Sequence, residues 1–286
     1  MASTARAARK PIKVCVRTRP TANFAQDEIK IDPEQNTIIV DPNIEQPPPG
    51  EPNNKQASFK FVYHNVLHNA SQETVYQTLT HDVVQDVVNG INGTVMSYGQ
   101  TGSGKTFTMM GDIANYAHRG VAPRAVAHVF QEVNMRVETA FKITCTYMEI
   151  YNEKVFDLLA DADAERTADY TIAEEKGGKG VFVRGLTEVV VATEQDALNL
   201  LFSGELGRTT AQHKLNRQSN RSHSVFTVYV QQQARSGVSE RVISSKLNLV
   251  DLAGSERLKK TMEMDSGAPL DETLKKESMY INQSLT

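Results

Sequence analysis

The segment that most constrains this chain is residues 99–106, Gly-Gln-Thr-Gly-Ser-Gly-Lys-Thr, which completes the pattern G-x-x-x-x-G-K-[ST]. Its glycines permit backbone conformations that larger residues avoid, so successive N–H groups can converge on phosphate oxygens. The lysine can reach the β- and γ-phosphates of a nucleotide, and the last hydroxyl can ligate Mg²⁺. The segment predicts a nucleoside triphosphate site made of Gly99, Gln100, Thr101, Gly102, Ser103, Gly104, Lys105 and Thr106.

The residues on either side of this loop support the prediction. Thr94-Val95-Met96 indicates a buried strand, and Phe107-Thr108-Met109-Met110 indicates a helix. The N-terminus of that helix would add its dipole to the loop amides beneath the phosphates. A glycine-rich surface loop is the alternative interpretation, and the strand–loop–helix frame argues against it.

Composition limits the remaining possibilities. The chain has 286 residues, of which 40% are hydrophobic, so it can bury the core of one α/β domain. No apolar run approaches the ~20 residues that span a bilayer. We expect residues 1–10 to be a disordered basic arm rather than a secretory signal. Cys15 and Cys145 are predicted to be buried free thiols in a reducing compartment. With a net charge of −3, an acidic partner must be held by local basic loops.

Strand and helix patterns alternate along the chain, with no repeat and no linker between domains. Ser71 is a predicted N-cap for a helix whose apolar stripe ends at Val88, and a second helix is predicted over 123–137. Thr193 and Asp196 form a predicted capping box. Strands are predicted over 12–18, 141–151, 224–231 and 242–250, and a proline-rich loop over 41–56.

Two further segments point to hydrolysis chemistry. The run from Leu247 to Gly254 is a largely apolar strand that ends in Asp251, which is where phosphoryl-transfer enzymes hold a magnesium ion. The glycine at 254 could offer its N–H to a γ-phosphate. Residues 216–224, Asn-Arg-Gln-Ser-Asn-Arg-Ser-His-Ser, are dense in hydroxyl, amide and guanidinium groups. Such a run is often a solvated turn, but beside a phosphate loop it predicts a γ-phosphate sensor.

Three ordered motifs resemble the motor domain of kinesins: YGQTGSGKTFTM at 98–109, NRQSNRSHS at 216–224 and NLVDLAGSER at 248–257. Arg17-Thr18-Arg19-Pro20 resembles the adenine-side motif of that family, and YMEIYNEKVFDLL at 147–159 also fits. The resemblance runs from about Ile12 to the end and implies one motor domain over 11–286. It implies a three-layer P-loop fold, in which a central, mostly parallel or mixed sheet carries helices on both faces.

The resemblance also implies roles for individual residues, with ATP and Mg²⁺ as the ligands. Arg17 and Pro20 would pack against adenine, and Phe107 would stack near the base. Thr106 would ligate Mg²⁺, Ser219 would join the magnesium shell when the site closes, and Asp251 would hold the ion through water. The N–H of Gly254 would meet the γ-phosphate. Arg221 and Glu256 would form an ion pair that locks the two switch segments in one state.

Two features depart from the family pattern. Asn220 stands where the family usually has serine; a hydroxyl can relay a proton from the attacking water, whereas an amide can only orient that water. The loop over 258–273 looks longer than in the family and carries Glu263, Asp265, Asp271 and Glu272, so it should weaken docking to an acidic filament.

Microtubules are the partner that the resemblance implies, and neither nucleic acid nor a membrane is expected. The predicted loop over 175–184 would offer Lys176, Lys179 and Arg184 to tubulin, although a solvated glycine hairpin is the alternative. Residues 280–285 resemble the start of the main microtubule-contacting helix of the family. We therefore expect the chain to be part of a longer protein, whose other regions set the oligomeric state.

Residues 66–76 and 115–125 resemble the kinesin-9 group, which implies a cytoplasmic, cytoskeletal protein of a cilium or flagellum. A G protein is disfavoured because Asn54-Lys55, the one Asn-Lys pair, precedes the phosphate loop and is followed by Gln56 and Ala57. A microtubule-associated protein that binds nucleotide but turns it over weakly stays open, and Asn220 favours it.

Overall fold

A computed structural model of the protein describes residues 11–41, 58–160, 170–174, 180–214, 221–235, 241–255 and 285. The chain divides into two compact units at Ala70–Ser71. Five predicted functional positions lie outside the described residues: Ser219, Asn220, Glu256, Lys176 and Lys179. The N-terminal arm, most of the proline-rich loop, the acidic loop over 258–273 and most of the C-terminal helix start lie outside them as well.

The first unit is built from short strands. Its strands are β1 (Cys15–Arg17), β2 (Ile29–Asp32), β3 (Thr37–Val40), β4 (Phe59–Val62) and β5 (Asn65–Leu67). Strands β2, β3 and β4 form an antiparallel sheet, and β1 pairs with β5 in parallel. The predicted strand over 12–18 is therefore confirmed at its centre, in β1.

The second unit contains the main sheet. Its strands are β6 (Gly93–Ser97), β7 (Thr139–Tyr151), β8 (Lys154–Asp157), β11 (Val189–Val191), β12 (His223–Ala234) and β13 (Ile243–Asp251). Within the described residues they follow the order β11-β7-β12-β13-β6, with β8 beside β7. The sheet is mixed, as predicted, because β13 and β6 run parallel while the other described pairings are antiparallel.

The strand register places buried side chains side by side in rows on one face of this sheet. Tyr147, Phe226 and Leu249 lie side by side on β7, β12 and β13, and all three are buried. Because side chains alternate between faces along a strand, the same face carries Cys145, Val228 and Leu247 in the next row. Two residues along the strands in the opposite direction, the corresponding row is polar. It consists of Glu149, Ser224, Asp251 and Ser97, which lie across four strands at one end of the sheet.

The described helices pack against this sheet and against one another. They are α1 (Gln72–Leu79), α2 (His81–Val88), α3 (Lys105–Met109), α4 (Val121–Met135) and α5 (Glu194–Lys214). Helix α2 contacts β6 and β13, α5 contacts β7 and β11, and α4 lies between α2 and α5. The close approach of α5 depends on Gly204, since a Cβ there would lie 2.4 Å from Cδ1 of Tyr147.

Two predicted helix starts are confirmed by their caps. The Ser71 hydroxyl accepts the N–H of Thr74 at 3.1 Å. In the capping box, the N–H of Asp196 donates to the Thr193 hydroxyl at 3.1 Å, and the N–H of Thr193 donates to the Asp196 carboxylate at 3.0 Å. Both caps satisfy N–H groups that a helix leaves without intrahelical partners.

Three local predictions need correction. The helix predicted over 71–88 divides at Thr80, whose φ of −117° departs from helical values. The strand before the phosphate loop is not buried on both faces, because Met96 is 60% exposed. Part of the loop predicted over 175–184 is a strand, β10 (Val181–Arg184), which pairs with β9 (Thr171–Glu174). Among the described residues no helix is long and apolar enough to span a membrane.

Candidate nucleotide-binding site

The phosphate loop, residues 99–106, connects β6 to α3 in the predicted strand–loop–helix frame. Gly102 and Gly104 have φ angles of 76° and 95°, a left-handed conformation that side-chain-bearing residues rarely adopt. Gly104 is the N-cap of α3, and nothing lies within 4 Å of a Cβ built there. Its backbone conformation therefore requires glycine, whereas its surroundings have space for a larger residue.

Asp251 brings the phosphate loop and the sheet together. Its carboxylate accepts a hydrogen bond from the Thr106 hydroxyl at 2.6 Å and another from the Ser97 hydroxyl at 2.9 Å. Ser97 and Asp251 are register partners at the C-terminal ends of the parallel strands β6 and β13. The structure thus unites two residues that the sequence assigned to the same metal, although Asp251 is buried and Thr106 is exposed.

The segment after β13 runs beside the start of the phosphate loop. The N–H of Leu252 donates to the carbonyl of Ser97 at 3.3 Å, and that of Ser255 donates to the carbonyl of Gly99 at 3.1 Å. Gly254 lies buried between these two bonds. The predicted γ-phosphate donor therefore lies on a segment that is hydrogen-bonded at one end to the last residue of β6 and at the other to the first residue of the loop.

Lys105 and Phe107 complete this side of the site. The Lys105 ammonium donates to the carbonyl of Gln100 at 3.0 Å, so the side chain folds over its own loop. The Phe107 side chain is 47% exposed, although it follows two residues of a helix that packs on the sheet. An exposed aromatic ring next to a phosphate loop can stack on a nucleotide base.

Arg208 is a site residue that sequence reasoning missed. It is 1% exposed and reaches the polar row at the end of the sheet from α5. Its guanidinium lies 3.3 Å from Glu149, 3.5 Å from Glu205 and 3.9 Å from Asp251, and it donates to the hydroxyls of Ser222 and Ser224 at 3.2 Å each. We call Arg208 with these five residues the Arg208 cluster.

Charge explains why so polar a group can be buried. Burial works against the charged form of Arg208, but the carboxylates of Glu205, Asp251 and Glu149 outweigh it and raise the pKa of the guanidinium. Tyr147 donates its hydroxyl to Glu205 at 2.6 Å, and burial followed by that carboxylate raises the pKa of the phenol. The Arg208 guanidinium therefore stays charged at neutral pH.

A sequence signal for Arg208 existed. Leu198, Leu201, Glu205 and Arg208 are spaced by three and four residues, which places them on one face of α5. Because Leu198 and Leu201 mark that face as buried, the two charged residues on it had to have buried partners.

His223 connects the start of β12 to the segment after β13. Its Nδ1 accepts the N–H of Ala253 at 3.1 Å, which requires a neutral ring with the proton on Nε2. Burial, then the nearby Arg208 cation, lowers the pKa of His223 and favours that neutral form. The two predicted phosphate-sensing segments are thus joined through one histidine.

The other predicted residues are placed as follows. Arg17 ends β1 in the first unit, where it donates to the carbonyl of Ala70 at 3.2 Å, and burial lowers its pKa. Pro20 is exposed three residues later. Arg221 is half-buried just before β12, but its predicted partner Glu256 lies outside the described residues. Arg184 is exposed at the end of β10.

A comparison with known protein families agrees with this geometry. The profile described as the kinesin motor domain matches residues 17–286. The chain belongs to the kinesin motor domain family. The predicted resemblance is confirmed, and so is the P-loop fold with its central mixed sheet flanked by helices.

Individual kinesins support the same conclusion. The chain is 47% identical over 279 residues to Kinesin-like protein KLP1 of Chlamydomonas reinhardtii and 43% identical over 280 residues to Kinesin-like protein KIF9 of Mus musculus. Each alignment covers 97% of this chain but 34% of the relative, so the chain spans about one third of the length of these curated relatives. These relatives are of the predicted kinesin-9 type.

The fold is also that of a solved kinesin. The chain matches the structure of a fast kinesin with a TM-score of 0.76 and 34% sequence identity. The match covers 93% of this chain and 71% of the other.

Proposed function

We propose that this kinesin domain hydrolyses ATP and couples the hydrolysis to binding and movement along microtubules. The observation that carries the proposal is the 2.6 Å contact between the Thr106 hydroxyl and the Asp251 carboxylate beside a complete phosphate loop. The family supports it, and the solved fast kinesin is described in terms of its ATPase mechanism and its interactions with microtubules.

The residues at this contact suit Mg²⁺. A hydroxyl and a carboxylate are hard oxygen donors, which this ion prefers, and Ser97 keeps the second oxygen of Asp251 hydrogen-bonded at 2.9 Å. Thr106 and Asp251 would hold the ion, with Ser219 as a further ligand when the site closes. An Mg²⁺ ion held there would supply positive charge to the triphosphate.

The remaining residues have separate tasks in the proposed reaction. Lys105 places its charge on the β- and γ-phosphates, and the N–H of Gly254 donates to a γ-phosphate oxygen. Arg221 pairs with Glu256 to close the switch segments. Asn220 orients the attacking water through its amide but cannot pass a proton onward, so we expect a slow chemical step.

At the other end of the nucleotide, Arg17 and Pro20 pack against adenine and Phe107 stacks near the base. The exposed ring of Phe107 suits this role. The half-buried guanidinium of Arg17 is already held by the carbonyl of Ala70, so it can present a fixed side chain to the base.

Microtubules are the proposed partner, and the domain is not expected to bind nucleic acid or a membrane. The hairpin of β9 and β10 would contact tubulin through Arg184, which is exposed, and through Lys176 and Lys179. The acidic residues of the 258–273 loop would oppose that contact. We place the protein in the cytoplasmic cytoskeleton, within a cilium or flagellum, because its motifs resemble the kinesin-9 group.

A second candidate function is a nucleotide-binding, microtubule-associated protein with weak ATPase activity. Asn220, in place of the usual serine, is the observation that favours it. ATP turnover by the full-length protein, with and without microtubules, separates the two. A motor shows turnover that rises steeply with microtubule concentration. Turnover that stays at its basal level while the protein binds the filament would support the second function.

A further inference from the structure

Gln72, in the first turn of α1, is a buried amide that contacts the far end of the phosphate-loop helix. Its side chain is enclosed, with the residue 4% exposed. The Nε2 atom donates to the carbonyl of Phe107 at 2.6 Å and to the carbonyl of His118 at 3.2 Å. One side chain therefore joins α1 to α3 and to the later part of the loop 110–120.

That loop returns to its own starting point. The N–H of Gly120 donates to the carbonyl of Met110 at 2.8 Å, and the N–H of Asp112 donates to the carbonyl of His118 at 3.1 Å. Gly111 has a φ of 74°, and a Cβ on it would lie 2.1 Å from the carbonyl oxygen of His118. The two ends of the loop are thus hydrogen-bonded to each other beside Gln72. This contact keeps the carbonyls of Phe107 and His118 at a definite separation.

Gln72 contacts a carbonyl near the end of α3. The N–H groups of Met110 and Gly111 both donate to the carbonyl of Thr106, at 2.7 and 3.3 Å. The next carbonyl, that of Phe107, accepts from Gln72. A side-chain NH₂ has two hydrogens on one nitrogen, so it can serve two acceptors at once, whereas a carboxylate or an apolar side chain of equal length cannot.

We propose that Gln72 is a positioning residue of the nucleotide site, which holds the main chain of Phe107 so that the ring meets the base. The proposal rests on the proposed function, because it assumes a bound nucleotide with its base beside Phe107. The direction of the ring follows from its backbone position, since χ1 has only a few allowed rotamers. The triphosphate is held separately, by the loop amides and Lys105.

This separation of tasks gives the proposal a distinctive consequence. Loss of the two Gln72 hydrogen bonds should weaken the hold on the base and leave the hold on the triphosphate nearly unchanged. A general loosening of the fold would weaken both. The affinity for a ligand that lacks the base therefore distinguishes the two cases. It stays nearly unchanged if Gln72 only positions Phe107, and it falls if Gln72 only stabilises the fold.

The test compares Gln72→Met with Gln77→Met in the full-length protein. Methionine matches glutamine in length but cannot donate, and Gln77 lies on the same helix, where its amide donates to the exposed Glu73 at 2.8 Å. Dissociation constants are measured for ATP and for ribose 5-triphosphate, each with Mg²⁺. We expect Gln72→Met to weaken ATP about tenfold and ribose 5-triphosphate less than twofold, with Gln77→Met unchanged for both.

Equal losses for the two ligands, or an unchanged ATP affinity, would overturn the proposal for Gln72. If the unmodified protein binds ATP no better than ribose 5-triphosphate, Phe107 does not hold the base and the inference fails while nucleotide binding stands. If it binds neither ligand, the proposed function itself fails. Should Gln72→Met not fold, Gln72→Asn, which keeps the NH₂ but withdraws it by one methylene, is measured against the same criteria. As a second test, Gln72→Met should cost little further ATP affinity in a Phe107→Ala background.

Discussion

The phosphate loop and the Arg208 cluster both contact Asp251, but the loop is exposed and the cluster is buried. Thr101, Gly102 and Thr106 of the loop are exposed, and its left-handed glycines allow backbone amides to converge on a ligand. Arg208 is 1% exposed, and its charge is met by carboxylates and hydroxyls of the protein itself. The first region is organised to receive charge from outside, and the second has its charges balanced internally.

The contrast indicates how the site divides its tasks. A buried ion pair loses much of its Coulomb energy to desolvation, but removal of one partner is strongly destabilising because the other charge stays buried and unpaired. The Arg208 cluster holds Asp251, Ser222 and Ser224 in one arrangement, and Asp251 in turn meets Thr106 of the loop. Changes in the cluster should therefore appear as changes in folding stability, and changes in the loop as changes in nucleotide affinity.

The largest expected effect comes from Arg208→Met. Removal of the cation leaves Glu149, Glu205 and Asp251 close together without their shared partner, which should lower the free energy of unfolding by about 3–5 kcal/mol. Chemical denaturation measures it. Arg235→Met is the matched control, because Arg235 is an exposed arginine that donates to the carbonyl of Thr139, and it should change stability by less than about 0.5 kcal/mol. Equal effects of the two changes would show that the cluster does not stabilise the fold.

Lys105→Ala should lower the affinity for ATP and leave folding stability nearly unchanged. It removes the charge that faces the β- and γ-phosphates, and we expect ATP affinity to fall by about 1.5–3 kcal/mol, or roughly 10- to 150-fold. The unfolding midpoint without nucleotide should stay close to that of the unmodified protein. Titration with a fluorescent ATP analogue measures the affinity. Unchanged affinity would refute the assignment of the loop. A large loss of folding stability would show that Lys105, like Arg208, stabilises the fold.

The next prediction tests the proposed ion pair between Arg221 and Glu256. If they form the switch latch, Arg221→Ala and Glu256→Ala should each leave ATP binding nearly intact and lower microtubule-stimulated turnover by about tenfold or more, since a charge-assisted hydrogen bond contributes about 1.5–3 kcal/mol. The double variant should be no slower than either single one. Additive losses in steady-state turnover would show that the residues act separately.

Asn220→Ser should have a smaller effect and only on the chemical step. A serine hydroxyl can pass a proton between two waters, so we expect hydrolysis to quicken up to about tenfold, which corresponds to about 1.4 kcal/mol of barrier, without a change in ATP affinity. Rapid-quench measurement isolates this step from product release. A step as slow as before in the serine variant would show that the amide is adequate here.

The smallest effect concerns His128, a buried histidine on α4 that lies beside His81 and Glu132. Burial, then the neighbouring His81, lowers the pKa of His128, while Glu132 at 3.5 Å opposes the shift. The unfolded chain therefore binds a proton at a higher pH than the folded one, and stability falls as pH drops below about 6.5 and through the lowered pKa. His128→Gln should flatten that part of the stability curve. A curve of unchanged slope would exclude His128 as its origin.

Local sequence was sufficient wherever neighbours in the chain determine conformation. The glycine pattern of 99–106, the Ser71 cap and the Thr193–Asp196 capping box each involve residues a few positions apart, and the structure has all three. The strand that ends in Asp251 was evident for the same reason, since an apolar run stops at a carboxylate. The bend at Thr80 and the exposed face of Met96 were not, because they depend on what packs nearby.

Only the tertiary structure decided which polar residues share a site. Glu149, Ser224, Asp251 and Ser97 come from four strands, and strand register alone places them in one row. The spacing along α5 held a signal for the burial of Arg208, which the sequence analysis missed, but no signal for which carboxylates would meet it. Gln72 likewise gave no local sign that its amide would reach Phe107 and His118. The sequence by itself determined the loop that we propose to bind the phosphates, because its backbone conformation is local. The residues that support this loop depend on long-range pairing, which forms only in the folded chain.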